Sequence, residues 1–132
     1  MVNKVSMSHE DYLEANIMLG GSPDHPVRSV DIAKQMDVSK ASVNKAIGLL
    51  KERGLLDQPY YGDVTLNEEG YKYGLAVYKR HRYLTAFLNK GLGIDLEVAE
   101  EEACLMEHAI SDESFKKWVD YIDSLNIVDF DS

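Results

Sequence analysis

Residues 29–66 constrain the fold more than any other stretch, because their hydrophobic period changes once and abruptly. Ile32, Ala33 and Met36 recur at helical spacing, Asp37-Val38 reads as a turn, and Val43, Ile47 and Leu50 resume the helical period. Ser29 and Ser39 are N-cap residue types placed just ahead of these two runs, so the pattern predicts a short helix over 30–36 and a longer one over 40–53, closed by Gly54. Leu55-Leu56 and Val64-Thr65-Leu66 then flank Tyr60-Tyr61-Gly62-Asp63, which predicts a β-hairpin with its turn near Gly62. Pro59 confines its strand to a sheet edge. Helix, tight turn, helix and hairpin is the order of a winged helix-turn-helix, whose second helix enters the DNA major groove while the wing follows the backbone.

Charge supports that reading locally and opposes it globally. Residues 28–53 hold six Lys/Arg (Arg28, Lys34, Lys40, Lys45, Lys51, Arg53) against three Asp/Glu, whereas residues 93–132 hold twelve Asp/Glu against Lys116 and Lys117. A net charge of −9 excludes a nonspecific nucleic-acid coat but permits one small basic face. Ser39, Lys40, Ser42, Asn44 and Lys45, at the start of the second helix, are the candidates for base edges. Arg28, Lys51, Arg53 and the wing residues Tyr60 and Tyr61 are placed for phosphates, which position a protein without reading sequence.

The rest of the chain reads as helices. A first helix is expected over 8–19, capped by Ser8 and ended by Gly20-Gly21; Ser22-Pro23-Asp24-His25-Pro26 is a loop. Asn67 caps a long helix reaching about Asn89, Gly91 and Gly93 interrupt it, an acidic helix covers 95–109, and Ser111 caps a last helix over 112–125. Phe115, Trp118, Val119 and Ile122 form an apolar stripe on that last helix, too large for a small monomer to leave exposed, and so predict a two-fold homodimer. The 132 residues suit one domain or two small ones. With no apolar run of membrane-spanning length, no leader pattern and a single cysteine, the expectation is a cytoplasmic protein with no membrane partner.

That cysteine carries the second constraint. Cys104, Glu107 and His108 stand at i, i+3 and i+4, one face of a helix, where sulfur, oxygen and nitrogen donors converge on a first-row dication. Asp11 and Glu14 share a face of the first helix, although carboxylates near a helix start also complement its dipole. His81 lies among Lys79, Arg80 and Arg82, where like charges favour the neutral imidazole that binds metal. A Cys alone is more often a small buried hydrophobe. Three separated sets are harder to dismiss.

These segments together resemble a known family. Ser8-His9-Glu10-Asp11-Tyr12-Leu13-Glu14-Ala15, residues 27–33, residues 38–43, Arg80-His81-Arg82 and residues 102–111 look like the diphtheria toxin repressor family of metal-dependent regulators, in the same order and across nearly the whole chain. The resemblance implies a mainly α fold, with a winged helix-turn-helix DNA-binding domain over 1–70 and a helical dimerisation and metal-binding domain over 71–132. It implies Asp11, Glu14, His81, Glu107 and His108 as ligands, as in the short two-domain manganese transport regulators, without the SH3-like third domain of the longer iron regulators. Cys104 departs from that branch: it stands where manganese regulators carry a bridging carboxylate and iron regulators a cysteine. Glu100, one turn earlier, could compensate. Thr85 stands where longer relatives carry an acidic residue, and Asn16 where an aliphatic one is usual.

The expected function is therefore a DNA-binding transcriptional regulator controlled by Mn²⁺ or Fe²⁺, with Zn²⁺, Co²⁺ or Ni²⁺ as in-vitro substitutes; hard carboxylates favour manganese and the thiolate favours iron or zinc. Its partners are double-stranded operator DNA and a second copy of the chain. Repression of metal-uptake genes is what the resemblance implies. One alternative is a winged-helix regulator whose acidic half only dimerises or binds a partner. A more remote one is a helical metalloenzyme, but the chain lacks His-Glu-x-x-His and the repeated Glu-x-x-His pairs of di-iron bundles.

Overall fold

Apolar residues at helical and strand spacing gather into two separate cores in the computed structural model, which describes residues 7–57 and 63–128. The two units are Met1–Tyr78 and Lys79–Ser132. The first contains α1 (Met7–Met18), β1 (Val27–Arg28), α2 (Ser29–Met36), α3 (Lys40–Glu52), β2 (Leu56–Asp57), β3 (Asp63–Leu66) and the beginning of α4 (Glu68–Ala86). Leu13, Ile32, Val43, Ile47 and Leu50 from the helices meet Leu55, Leu56, Val64 and Leu66 from the sheet. Each such side chain contributes about 1.5–3 kcal/mol on burial.

The helix-turn-helix and the wing are present, and the wing is larger than expected. β3 lies between β1 and β2, antiparallel to both, with Val27 opposite Val64 and Leu56 opposite Leu66. A two-residue strand such as β1 is too short to leave a period in a sequence, so the expected two-stranded hairpin is a three-stranded sheet. Pro59, Tyr60, Tyr61 and the turn near Gly62 lie outside the described residues.

Capping differs in detail. α1 begins at Met7, so Ser8 lies inside its first turn and is not the cap; it ends at Met18, one residue before the expected Leu19. Ser29 is likewise the first helical residue of α2, and Arg28 occupies the cap position because β1 delivers the chain already extended. α2 ends with Asp37 in the left-handed region (φ 55°), a conformation Asp tolerates, and the N–H groups of Asp37 and Val38 return to the Ala33 carbonyl. Ser39 does cap α3, its Oγ accepting from Ser42 N–H at 3.1 Å. Ser39→Ala should therefore cost about 1 kcal/mol in urea denaturation, and Ser29→Ala much less. Equal costs would contradict the assignment of the caps.

The second unit is helical. α4 runs to Ala86 and widens into a π-helical turn, Phe87–Gly91, where a plain helix to Asn89 was expected; α5 (Leu96–Met106) and α6 (Asp112–Ser124) follow. Ser111 caps α6 by accepting from Ser114 N–H at 3.1 Å. The α6 stripe is consumed inside this unit: Phe115 and Ile122 are buried, Phe115 meets Tyr83 edge-on at 6.1 Å, and Trp118 meets Phe87 at 5.7 Å. It is therefore no argument for a dimer. The Tyr83 hydroxyl donates to Asp123 at 2.6 Å, and burial followed by this bond pushes its phenol up to about 12. Among the described residues, no helix is long and apolar enough to cross a membrane.

Candidate metal centre and nucleic-acid interface

α5 stops short of the residues it was expected to carry. It ends at Met106, not Ala109, and Glu107 and His108 sit in the turn beyond it. The convergence survives because Glu107 keeps helical backbone angles (φ −59°, ψ −26°) and its N–H still reaches the Ala103 carbonyl at 2.9 Å. Cys104, Glu107 and His108 each offer a donor atom, all within 4.8 Å of one another. From α4, His81 Nδ1 donates to Glu107 Oε2 at 3.0 Å, which leaves Nε2 as the ring nitrogen able to bind metal.

Burial makes this group chemically unusual. Glu107 is 1% exposed, and His108 is buried beside it with Nε2 3.3 Å from Glu107 Oε1. That contact is close, but the geometry does not make it a hydrogen bond, and Oε1 has no hydrogen-bond partner among the described residues. A carboxylate taken out of water with an unsatisfied oxygen is costly unless a cation balances it. Thiol, carboxylate and imidazole together fit a first-row dication. Glu100 is exposed on α5 and does not join these donors. In the first unit, Glu14 is buried and Asp11 half-buried: Glu14 stands a full turn beyond the first, between buried Leu13 and Ala15.

The exposed face of α3 carries the other chemistry. Val43, Ala46, Ile47 and Leu50 turn inward, leaving Lys40, Asn44 and Lys45 outward, together with Lys51. Ala41 and Gly48 share this exposed face, and reasoning from donor and acceptor groups overlooked them. Ser39 and Ser42 are exposed but engaged with each other, the Ser39 hydroxyl donating to Ser42 Oγ at 3.0 Å. Arg28 is exposed and forks onto Asp31 at 3.1 and 3.2 Å; that hydrogen bond and Asp31's charge raise its pKa and keep it cationic. Tyr61 lies outside the described residues.

Known proteins share this organisation. Residues 4–64 match the family model for the N-terminal DNA-binding domain of iron-dependent repressors, and residues 67–127 match that for their metal-binding and dimerisation domain. An HTH-type transcriptional regulator of Methanocaldococcus jannaschii is 32% identical over 114 residues, covering 86% of this chain and 90% of the relative. The chain belongs to the iron-dependent repressor family. Iron-dependent repressors and their manganese-dependent relatives are DNA-binding transcriptional repressors, not enzymes. The transcriptional regulator MntR of Escherichia coli is 34% identical over 87 residues, covering 66% of this chain and 56% of its own length. A solved manganese-dependent transcriptional repressor in complex with manganese superposes with a TM-score of 0.75 at 30% identity, covering 87% of this chain and 52% of that one. The chain thus spans about half the length of these last two relatives.

Proposed function

We propose that this chain is a Mn²⁺- or Fe²⁺-dependent repressor that binds operator DNA as a homodimer in the cytoplasm and controls metal-uptake genes. The observation that carries the reading is Glu107, a buried carboxylate with an unsatisfied oxygen between two imidazoles and a thiol. Cys104, Glu107, His108 and His81 would hold the metal, with Asp11 and Glu14 of α1 supplying ligands from the DNA-binding part of the chain, residues 1–70. Residues 71–132 serve metal binding and dimerisation, and exposed Leu92, Leu96 and Leu105 offer apolar surface to a second copy.

The residues divide the work. Lys40, Asn44 and Lys45 read base edges, Ala41 gives apolar contact to a thymine methyl, and Gly48 lets the backbone come close. Arg28, Lys51, Arg53 and Tyr61 hold phosphates and set the register. Without metal, the carboxylates of Asp11 and Glu14 and those of the acidic part repel or stay hydrated, so the recognition helices of a dimer have no fixed spacing. Asp11 and Glu14 together with Cys104, Glu107, His108 and His81 would hold a dication, which would supply the positive charge that balances these carboxylates; at one hundred times its dissociation constant it would favour the ligated state by about 2.7 kcal/mol.

The test begins with DNA selected from a random pool by the Mn²⁺-loaded protein. Affinity for it should rise roughly a hundredfold between metal-free and saturated protein at fixed salt. Equal affinity with and without Mn²⁺, Fe²⁺ or Co²⁺ would leave a winged-helix regulator whose acidic half only dimerises.

A further inference from the structure

We propose that Arg80 is the positioning residue of the metal-binding turn, holding residues 107–110 in the shape that aims Glu107 and His108. The proposal rests on the reading of Cys104, Glu107 and His108 as ligands. Two of those three lie beyond the end of α5, in the turn that leads to α6. The bonds from Glu107 N–H to the Ala103 carbonyl and from Ala109 N–H to the Met106 carbonyl shape its first part.

Arg80 takes over from there. One guanidinium nitrogen, Nη1, donates to the Glu107 carbonyl at 2.9 Å and also to the Ile110 carbonyl. The other, Nη2, donates to the Asp112 carboxylate at the start of α6. The guanidinium lies 5.0 Å from the centroid of the Phe115 ring, and the side chain is only 12% exposed. Three acceptors spread along residues 107–112 are thus held by one planar fork, a geometry that a lysine ammonium cannot reproduce. His81, the next residue of α4, holds the Glu107 carboxylate itself. Adjacent residues therefore fix both the backbone and the side chain of the same ligand. Asp112 also balances a positive charge that would otherwise oppose a cation nearby.

The probe is Co²⁺ titrated into the full chain, read by its thiolate-to-metal charge-transfer band, with thermal melting of the metal-free protein alongside. Arg80→Lys keeps the charge and loses the fork; it should bind Co²⁺ at least tenfold more weakly with a diminished band. Asp112→Asn alters a side chain that is 98% exposed, so the fold tolerates it. It should weaken Co²⁺ binding about threefold by loosening Arg80 and leaving its charge unbalanced. Wild-type affinity and band in a folded Arg80→Lys would overturn the proposal; should that variant not fold, unchanged affinity in Asp112→Asn would do so. A wild-type protein with no thiolate band would instead remove the ligand assignment, and with it the premise.

Discussion

Gly70→Ala should destabilise the N-terminal unit by about 3 kcal/mol or more, at the upper end of what overpacking costs. A Cβ at this position would stand 1.8 Å from the Leu55 carbonyl oxygen and 2.8 Å from its carbon. Both are backbone atoms of a residue with no exposed surface, so no side chain can swing aside. The start of α4 would have to retreat from the sheet. That retreat breaks the Asn67 cap, whose Oδ1 accepts from Gly70 N–H at 2.8 Å and whose Nδ2 donates to the Gly54 carbonyl at 2.6 Å. Gly48→Ala is the control: it sits inside α3 with nothing within 4 Å of the added methyl and should stabilise by about 0.5–1 kcal/mol. Opposite signs for the same substitution in urea melts are the expected outcome. A Gly70→Ala protein within 1 kcal/mol of wild type would contradict the close approach of α4 to Leu55.

Cys104→Ser should abolish the thiolate-to-cobalt charge-transfer band and weaken Co²⁺ and Fe²⁺ more than Mn²⁺. The hydroxyl that replaces the thiol is a poor anionic donor at neutral pH, whereas sulfur suits the softer metals. Glu107, His108 and His81 remain, so Mn²⁺ should still bind. If the band is absent in wild type, or persists in the variant, Cys104 is a core thiol and not a ligand.

What could be read from the residues depended on how far each signal extended along the chain. α2 and α3 were legible because Ile32, Val43, Ile47 and Leu50 repeat at helical spacing and Asp37 and Ser39 bracket the turn. β1 was not, since Val27–Arg28 acquires its strand character only from pairing with β3. The end of α5 differs from the expectation because helix-compatible residues continue to Ala109 while the backbone passes into turns after Met106. The convergence of Cys104, Glu107 and His108 stayed legible all the same, because i to i+3 proximity needs only one helical turn. The α6 stripe was read correctly as apolar and wrongly as a free surface: its partners, Tyr83 and Phe87, are too distant in sequence for a period to reveal. Asn16 is 2% exposed with neither amide atom hydrogen-bonded among the described residues, and only the missing Cβ of Gly21 makes room for it. Nothing in the structure explains the choice of Asn there.

The central claim is that metal binding and DNA binding are linked through the first helix, and a double variant, Asp11→Asn with Glu14→Gln, tests it most directly. These changes remove the charge of the two proposed ligands and keep their shape, which matters because Glu14 is buried. The variant should melt cooperatively, retain partial Co²⁺ binding through Cys104, Glu107 and His108, and keep weak, salt-sensitive binding to any DNA. Titrating Mn²⁺ should tighten the wild-type protein on its selected DNA roughly a hundredfold and the variant less than threefold. A variant that gains as much affinity as wild type would show that the metal acts without Asp11 and Glu14, and the proposed linkage would be wrong.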